Sequence, residues 1–139
     1  MSSTYTYRLI RSSWGIRISI TADPVLGAVE VDDVIAVGED VFLADGTQGG
    51  RLGGAAMRML ARGLRSLSAE IASAAPGRVT TIVVREVSYN EADFQEEGLA
   101  AAIVGWAVAE FGLPDRDIGA FFDAEANRYI FDLWSKDQA

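Results

Sequence analysis

The sequence predicts an α+β fold: one domain over residues 1–139, with a mostly antiparallel sheet and two helices. Three observations lead there. Both ends of the chain alternate apolar and polar residues with the period of a strand and read as β-hairpins. Two long internal stretches repeat their apolar residues with the period of a helix. Between those stretches lies a short, strongly β-branched run. The expected order is β-hairpin, β, long α, β, α, β-hairpin. Terminal hairpins imply antiparallel neighbours and the α+β class.

Residues 4–10 and 14–21 form the first hairpin. Trp14, Ile16, Ile18 and Ile20 alternate with Gly15, Arg17, Ser19 and Thr21, as in a half-buried strand. Arg11, Ser12 and Ser13 make the turn, and Asp23-Pro24 is expected to break the second strand. Residues 25–42 are β-rich, with Val29 and Val31 set between Glu30 and Asp32 before the apolar run 34–37. Gly38, Glu39 and Asp40 look like a turn before 41–43, and one or two strands are expected over this whole region.

Residues 45–54 are the loosest stretch, with glycines at 49, 50, 53 and 54. Glycine has the most backbone freedom to lose, so this loop is expected to be mobile. One continuous helix should follow, to about residue 74. Leu52, Ala56, Met59, Leu60, Leu64, Leu67 and Ile71 share a face, and Pro76-Gly77 ends it. Residues 79–87 read as a central strand, with Val79, Val83 and Val87 on one face and Ile82 and Val84 on the other. Ser88-Tyr-Asn-Glu matches a capping box, so the second helix should start at Ser88 or Asn90 and run to about Phe111, before Gly112 and Pro114. Its small residues Gly98, Ala102, Gly105 and Ala109 form a stripe that permits close packing. Residues 118–123 and 128–133 make the last hairpin, pairing Asp123 with Arg128 and Phe122 with Tyr129. Phe122, Tyr129, Phe131 and Leu133 then share the buried face.

Composition excludes several kinds of chemistry. The chain has no cysteine and no histidine. Thiolate nucleophiles, disulfides, iron–sulfur clusters and the commonest zinc ligands are therefore out. Lys136, the only lysine, sits in a polar tail, which does not suit a Schiff base. No cofactor is expected. The formal charge is −8, which disfavours nucleic acid and anionic membranes and suits a basic protein partner. The N-terminus lacks the features of a secretion signal, no apolar run would span a bilayer, and a cytoplasmic protein is expected. Arginine in place of lysine, with abundant alanine and glycine, looks like a GC-rich bacterial origin.

Four features are candidates for function. Arg51 beside the glycines, with Arg58, Arg62 and Arg65 along one side of the first helix, is a candidate anion-binding stripe, although an ordinary solvated face has the same pattern. Tyr89, Glu91, Asp93, Gln95, Glu96 and Glu97 are candidates for acid–base work or for contacting a basic partner. Acids at a helix start also serve its dipole. Glu30, Asp32, Asp33, Glu39, Asp40 and Asp45 lack the spacing of a calcium loop and read as a solvated edge. Phe121, Ile130 and Trp134 form the outer face of the last hairpin, a candidate partner or subunit surface.

Two functional classes follow. The preferred one is a small acidic protein-interaction domain, such as an immunity protein or antitoxin, meeting a basic protein or a second copy of itself through Phe121, Ile130, Trp134, Tyr89, Asp93, Glu96 and Glu97. The other is a cofactor-independent enzyme or small-molecule-binding domain, with Asp, Glu and Tyr in a pocket between helices and sheet. A pocket holding a buried carboxylate favours the second class, and a flat acidic or aromatic surface the first.

Overall fold

The computed structural model describes residues 2–11, 13–27, 29, 33–114 and 120–131. Strands β1 (Ser3–Ile10) and β2 (Gly15–Leu26) form the expected hairpin. Tyr5, Tyr7 and Leu9 lie opposite Ile20, Ile18 and Ile16, and these pairs make the core face. On the other face Thr4 meets Thr21 and Thr6 meets Ser19, each through a 2.7 Å hydroxyl contact. Asp23-Pro24 does not end β2. Pairing with β1 reaches only Ala22, so beyond it that side of β2 has no strand partner among the described residues, and a residue lacking N–H is tolerated there.

The main sheet has the order β1-β2-β5-β4-β3, with β3 at Val34–Gly38, β4 at Val41–Asp45 and β5 at Thr80–Tyr89. Its pairings are antiparallel except β4 with β5. That parallel pair needs a crossover, which α1 (Gly53–Arg65) and α2 (Ser68–Ser73) supply. The expected single helix is thus divided. Leu67 leaves helical geometry at φ −119°, and the Ser66 hydroxyl donates to the Gly63 carbonyl at 2.6 Å. The bend keeps both Leu67 and Ile71 buried.

The first half of β5, from Thr80 to Val84, is buried on both faces, as its composition suggests. It also carries a bulge. Thr21 pairs with Glu86 and Ala22 with Val84, so Arg85 is the extra residue. The bulge shifts the alternation, and Val87 joins Ile82 and Val84 on the helix side instead of Val83.

The helix expected from Ser88 or Asn90 begins later. Ser88 and Tyr89 still pair with Ser19 and Ile18, and Asn90 caps only a 3₁₀ turn over Glu91–Asp93. The helix proper, α3 (Gly98–Phe111), ends at Gly112 with φ 61°. Sheet pairing has overridden a local capping signal.

α1 and α3 pack on one face of the sheet and touch each other at Gly63. A Cβ there would stand 2.6 Å from the Ala100 carbonyl oxygen and 2.7 Å from Ile103 Cγ2. The small stripe on α3 does similar work: a Cβ on Gly105 would fall 2.3 Å from the Tyr5 ring. Gly63→Ala is expected to destabilise the fold by about 1–3 kcal/mol, because the obstacle is backbone. Urea unfolding measures this, and an unchanged midpoint would show that the helices separate freely.

Tyr7 lies in the core, and burial, helped by neighbouring Tyr5, raises its pKa from 10.0 to about 12. The unfolded chain therefore loses this proton first. The stability gained by keeping Tyr7 neutral is complete below about pH 10 and is lost as pH rises from there to about 12. Tyr7→Phe should move the alkaline unfolding midpoint upward. An unchanged midpoint, followed by tyrosinate absorbance and circular dichroism, would remove Tyr7 as its cause.

β6 (Ala120–Asp123) and β7 (Arg128–Phe131) form a separate two-stranded sheet in the expected register. Tyr129 and Phe131 are buried, and Phe122 packs partly against the core. The Tyr129 hydroxyl donates to the Trp14 carbonyl at 2.6 Å and accepts from the Arg11 N–H at 2.8 Å. Gln95 replaces a missing strand partner: its Nε2 donates to the Tyr129 carbonyl at 2.6 Å, and its Oε1 accepts from the Tyr129 N–H at 2.7 Å. Ile118, Leu133, Trp134 and Lys136 lie outside the described residues, as do Glu30, Val31 and Asp32.

Candidate functional site

β4 and β5 run side by side only as far as Asp45 and Val84. One more rung follows, from the Gly46 N–H to the Val84 carbonyl at 2.8 Å. The chain then leaves the strand pairing. A Cβ on Gly46 would lie 2.3 Å from Val83 Cγ1, so glycine permits this close passage. β5 continues for residues 85–89. There it has β2 on one side and, among the described residues, no strand on the other.

The glycine-rich loop after β4 is expected to be loose, but it is held in place. Asp45 is buried, and its Oδ1 accepts from the Thr47 N–H at 2.9 Å and the Thr47 hydroxyl at 2.5 Å. Its Oδ2 accepts from the Leu52 N–H at 3.1 Å. The Thr47 oxygen in turn accepts from the Arg51 N–H at 2.8 Å. Gly49, Gly50 and Gly53 have φ of 79°, 61° and 78°, so glycine suits these turns. At the junction of loop and α1, the chain's own carboxylate takes the Leu52 N–H.

The opposite wall comes from the segment after β5. The Tyr89 and Phe94 rings stack with centroids 3.9 Å apart and planes 18° apart. Gln95, anchored on Tyr129, fixes that segment from behind. Between the two walls is an open cleft of about 560 Å³. Leu52, Val87 and Leu99 provide its apolar surface, and Arg51, Glu86 and Glu96 its charged groups. Arg85 reaches the lining too, but its Nε donates to Asp23 Oδ2 at 3.1 Å. Burial alone would raise the Asp23 pKa, yet hydrogen bonds from Arg85 and Ser2 hold the carboxyl below its ordinary range.

The cleft therefore brings Arg51 from the glycine-rich loop together with Tyr89 and Glu96 from a later stretch of the sequence. Other candidates fall elsewhere. Arg58 borders a smaller hollow with Asp33 between α1 and β3. Arg62 is half-buried and Arg65 exposed farther along α1, and neither lines the cleft. Asp93 lies in a hollow with Arg17 and Ser88. Glu97 pairs with Arg128 on the last hairpin. Phe121 is half-exposed and Ile130 partly buried on that hairpin, away from the cleft lining. Among the described residues no group of three or more acidic side chains is arranged to hold a metal, and no helix is long and apolar enough to cross a membrane.

Glu86 and Phe94 belong to the cleft but carry no distinguishing signal in the sequence. Glu86 gains its place from the bulge, and Phe94 from the late start of α3. Asp45 was legible only as one acid among several. Its Asp-Gly-Thr context, which favours local side-chain-to-backbone bonds, is the signal that could have singled it out.

Glu86 and Glu96 are exposed. Asp45, the buried carboxylate nearby, is not in the cleft lining and uses both oxygens to hold the loop. Comparison with known proteins gives no match to a family model, a curated protein or a solved structure.

Proposed function

We propose that this chain is a non-enzymatic protein-interaction domain that receives an extended segment of its partner in the cleft beside residues 85–89. The observation that carries this reading is the open side of β5 where β4 has turned away. A strand edge with unpaired N–H and C=O groups is a template for another strand. Main-chain hydrogen bonds supply affinity in such strand addition, and flanking pockets supply specificity. The apolar surface of Leu52, Val87 and Leu99 offers such a pocket. The charge of −8 speaks for a basic partner. Neutralising a basic toxin, as a bacterial immunity protein or antitoxin does, is a role that suits this charge.

The test uses Ala55→Trp. Ala55 is exposed and lines the cleft, so an indole there obstructs it without entering the core. Random peptides displayed on phage are selected on the wild-type protein and re-measured on the variant. Binders that lose affinity about tenfold or more on Ala55→Trp, with an unchanged melting temperature, support the reading. If every binder keeps its affinity, the cleft is not the docking site.

The cleft volume favours a second reading, since about 560 Å³ falls within the range of small-molecule sites. In that case small aromatic or amino-acid-like fragments, and no peptides, would perturb the NMR signals of Val87, Tyr89 and Leu99.

A further inference from the structure

Resting on the interaction reading, we infer that the occupant of the cleft is a cationic strand: an extended segment that sets lysine or arginine against Glu86, Glu96 and the Tyr89–Phe94 ring pair, and an apolar side chain against Leu52, Val87 and Leu99. The charges in the cleft are unequal once their partners are traced. Arg51, Arg85, Glu86 and Glu96 line it. Arg85 is answered by Asp23. That leaves two carboxylates against the single guanidinium of Arg51, in a chain whose net charge is already −8.

Position adds to this. Arg51 belongs to the loop end of the cleft, next to where β4 leaves the sheet. Tyr89, Phe94 and Glu96 make up the other end, where β5 finishes and the chain approaches α3. The open edge between them spans about 13 Å at the rise of a strand. Tyr89 is 47% exposed although it is stacked on Phe94, so aromatic surface is open to a ligand. An aromatic face next to a carboxylate attracts ammonium and guanidinium groups by cation–π and Coulombic forces together. An acidic segment would meet Glu86 and Glu96 and gain only Arg51.

Three short synthetic peptides make the test, alternating valine with lysine, with glutamine or with glutamate. Binding to the full chain is followed by calorimetry at low and high salt, and by hydrogen exchange over residues 85–89. The lysine peptide should bind at least about tenfold more tightly than the glutamine peptide, and the glutamate peptide should not bind detectably. The preference should shrink as salt rises. The double variant Glu86→Gln, Glu96→Gln should abolish it. Both residues are exposed, so a melt equal to wild type is expected and serves as the folding control. Slower exchange at 85–89 on binding marks strand pairing. Equal binding of the glutamine or glutamate peptide, or a preference for lysine that survives the double variant, overturns the cationic occupant. Binding without slower exchange at 85–89 overturns the strand. If none of the three binds, the occupant proposed here is wrong, while the Ala55→Trp comparison still decides whether the cleft docks anything.

Discussion

Asp45→Ala is expected to destabilise the protein by about 3–5 kcal/mol and to release the loop that borders the cleft. The carboxylate accepts three hydrogen bonds, two from Thr47 and one from the Leu52 N–H. Bonds to a charged acceptor are each worth roughly 1.5–3 kcal/mol, and bonds that share one acceptor group do not add in full. Alanine also leaves the Thr47 and Leu52 N–H groups without this partner. Asp45→Asn should lose less, since its oxygen keeps the Thr47 bonds while its amide group confronts the Leu52 N–H. Equilibrium urea unfolding ranks the three proteins. Limited trypsin digestion reads the loop directly. Arg51 should resist cleavage in the wild type, where Thr47 holds its N–H, and become an early site in Asp45→Ala. A loss of stability below about 0.5 kcal/mol, the range of ordinary surface changes, would mean that something else holds the loop.

The parts of this architecture that were legible in the sequence are those in which one local pattern decides the outcome. Ile16, Ile18 and Ile20 alternate with polar residues, and their side of β2 is the core face. Asp123 and Arg128 mark the register of the last hairpin, and the strands pair that way. The parts that were not legible depend on residues distant in sequence. Ser88 satisfies a helix-capping pattern, but β2 is already in place to extend β5 past it. Pro24 looks like a strand breaker, and only the early end of β1 pairing makes it harmless. The bulge at Arg85 leaves no mark in a pattern of alternation, yet it decides which face Val87 takes. The site has the same character. Arg51, Tyr89 and Glu96 are individually visible as a charge or an aromatic ring at an element boundary. Their convergence depends on the parallel pairing of β4 with β5 and on the point where β4 turns away. No residue announces that parallel pair. It follows from the crossover through α1 and α2, whose two-part form was itself hidden within one continuous apolar face.

Phe131→Ala and Phe121→Ala should separate the two faces of the last hairpin. Phe131 is 6% exposed and belongs to the main core, whereas Phe121 is 51% exposed. Truncating the first should cost about 3–5 kcal/mol, the usual result for a large aromatic in a core. Truncating the second should leave stability within about 0.5 kcal/mol of wild type. The hairpin forms its own small sheet, so its stability depends on docking. That docking rests on Phe131, the Tyr129 hydroxyl bonds to Trp14 and Arg11, and the two Gln95 bonds to the Tyr129 backbone. Gln95 also lies in the segment that carries Phe94 and Glu96 to the cleft. Phe131→Ala should therefore speed hydrogen exchange at residues 94–97 as well as in the hairpin, while Phe121→Ala should change neither. If Phe131→Ala costs less than about 1 kcal/mol, the hairpin is an appendage and the cleft wall has another support. If Phe121→Ala instead weakens self-association in sedimentation while stability holds, the outer face of the hairpin is a subunit surface distinct from the cleft, because Phe121 is not part of its lining.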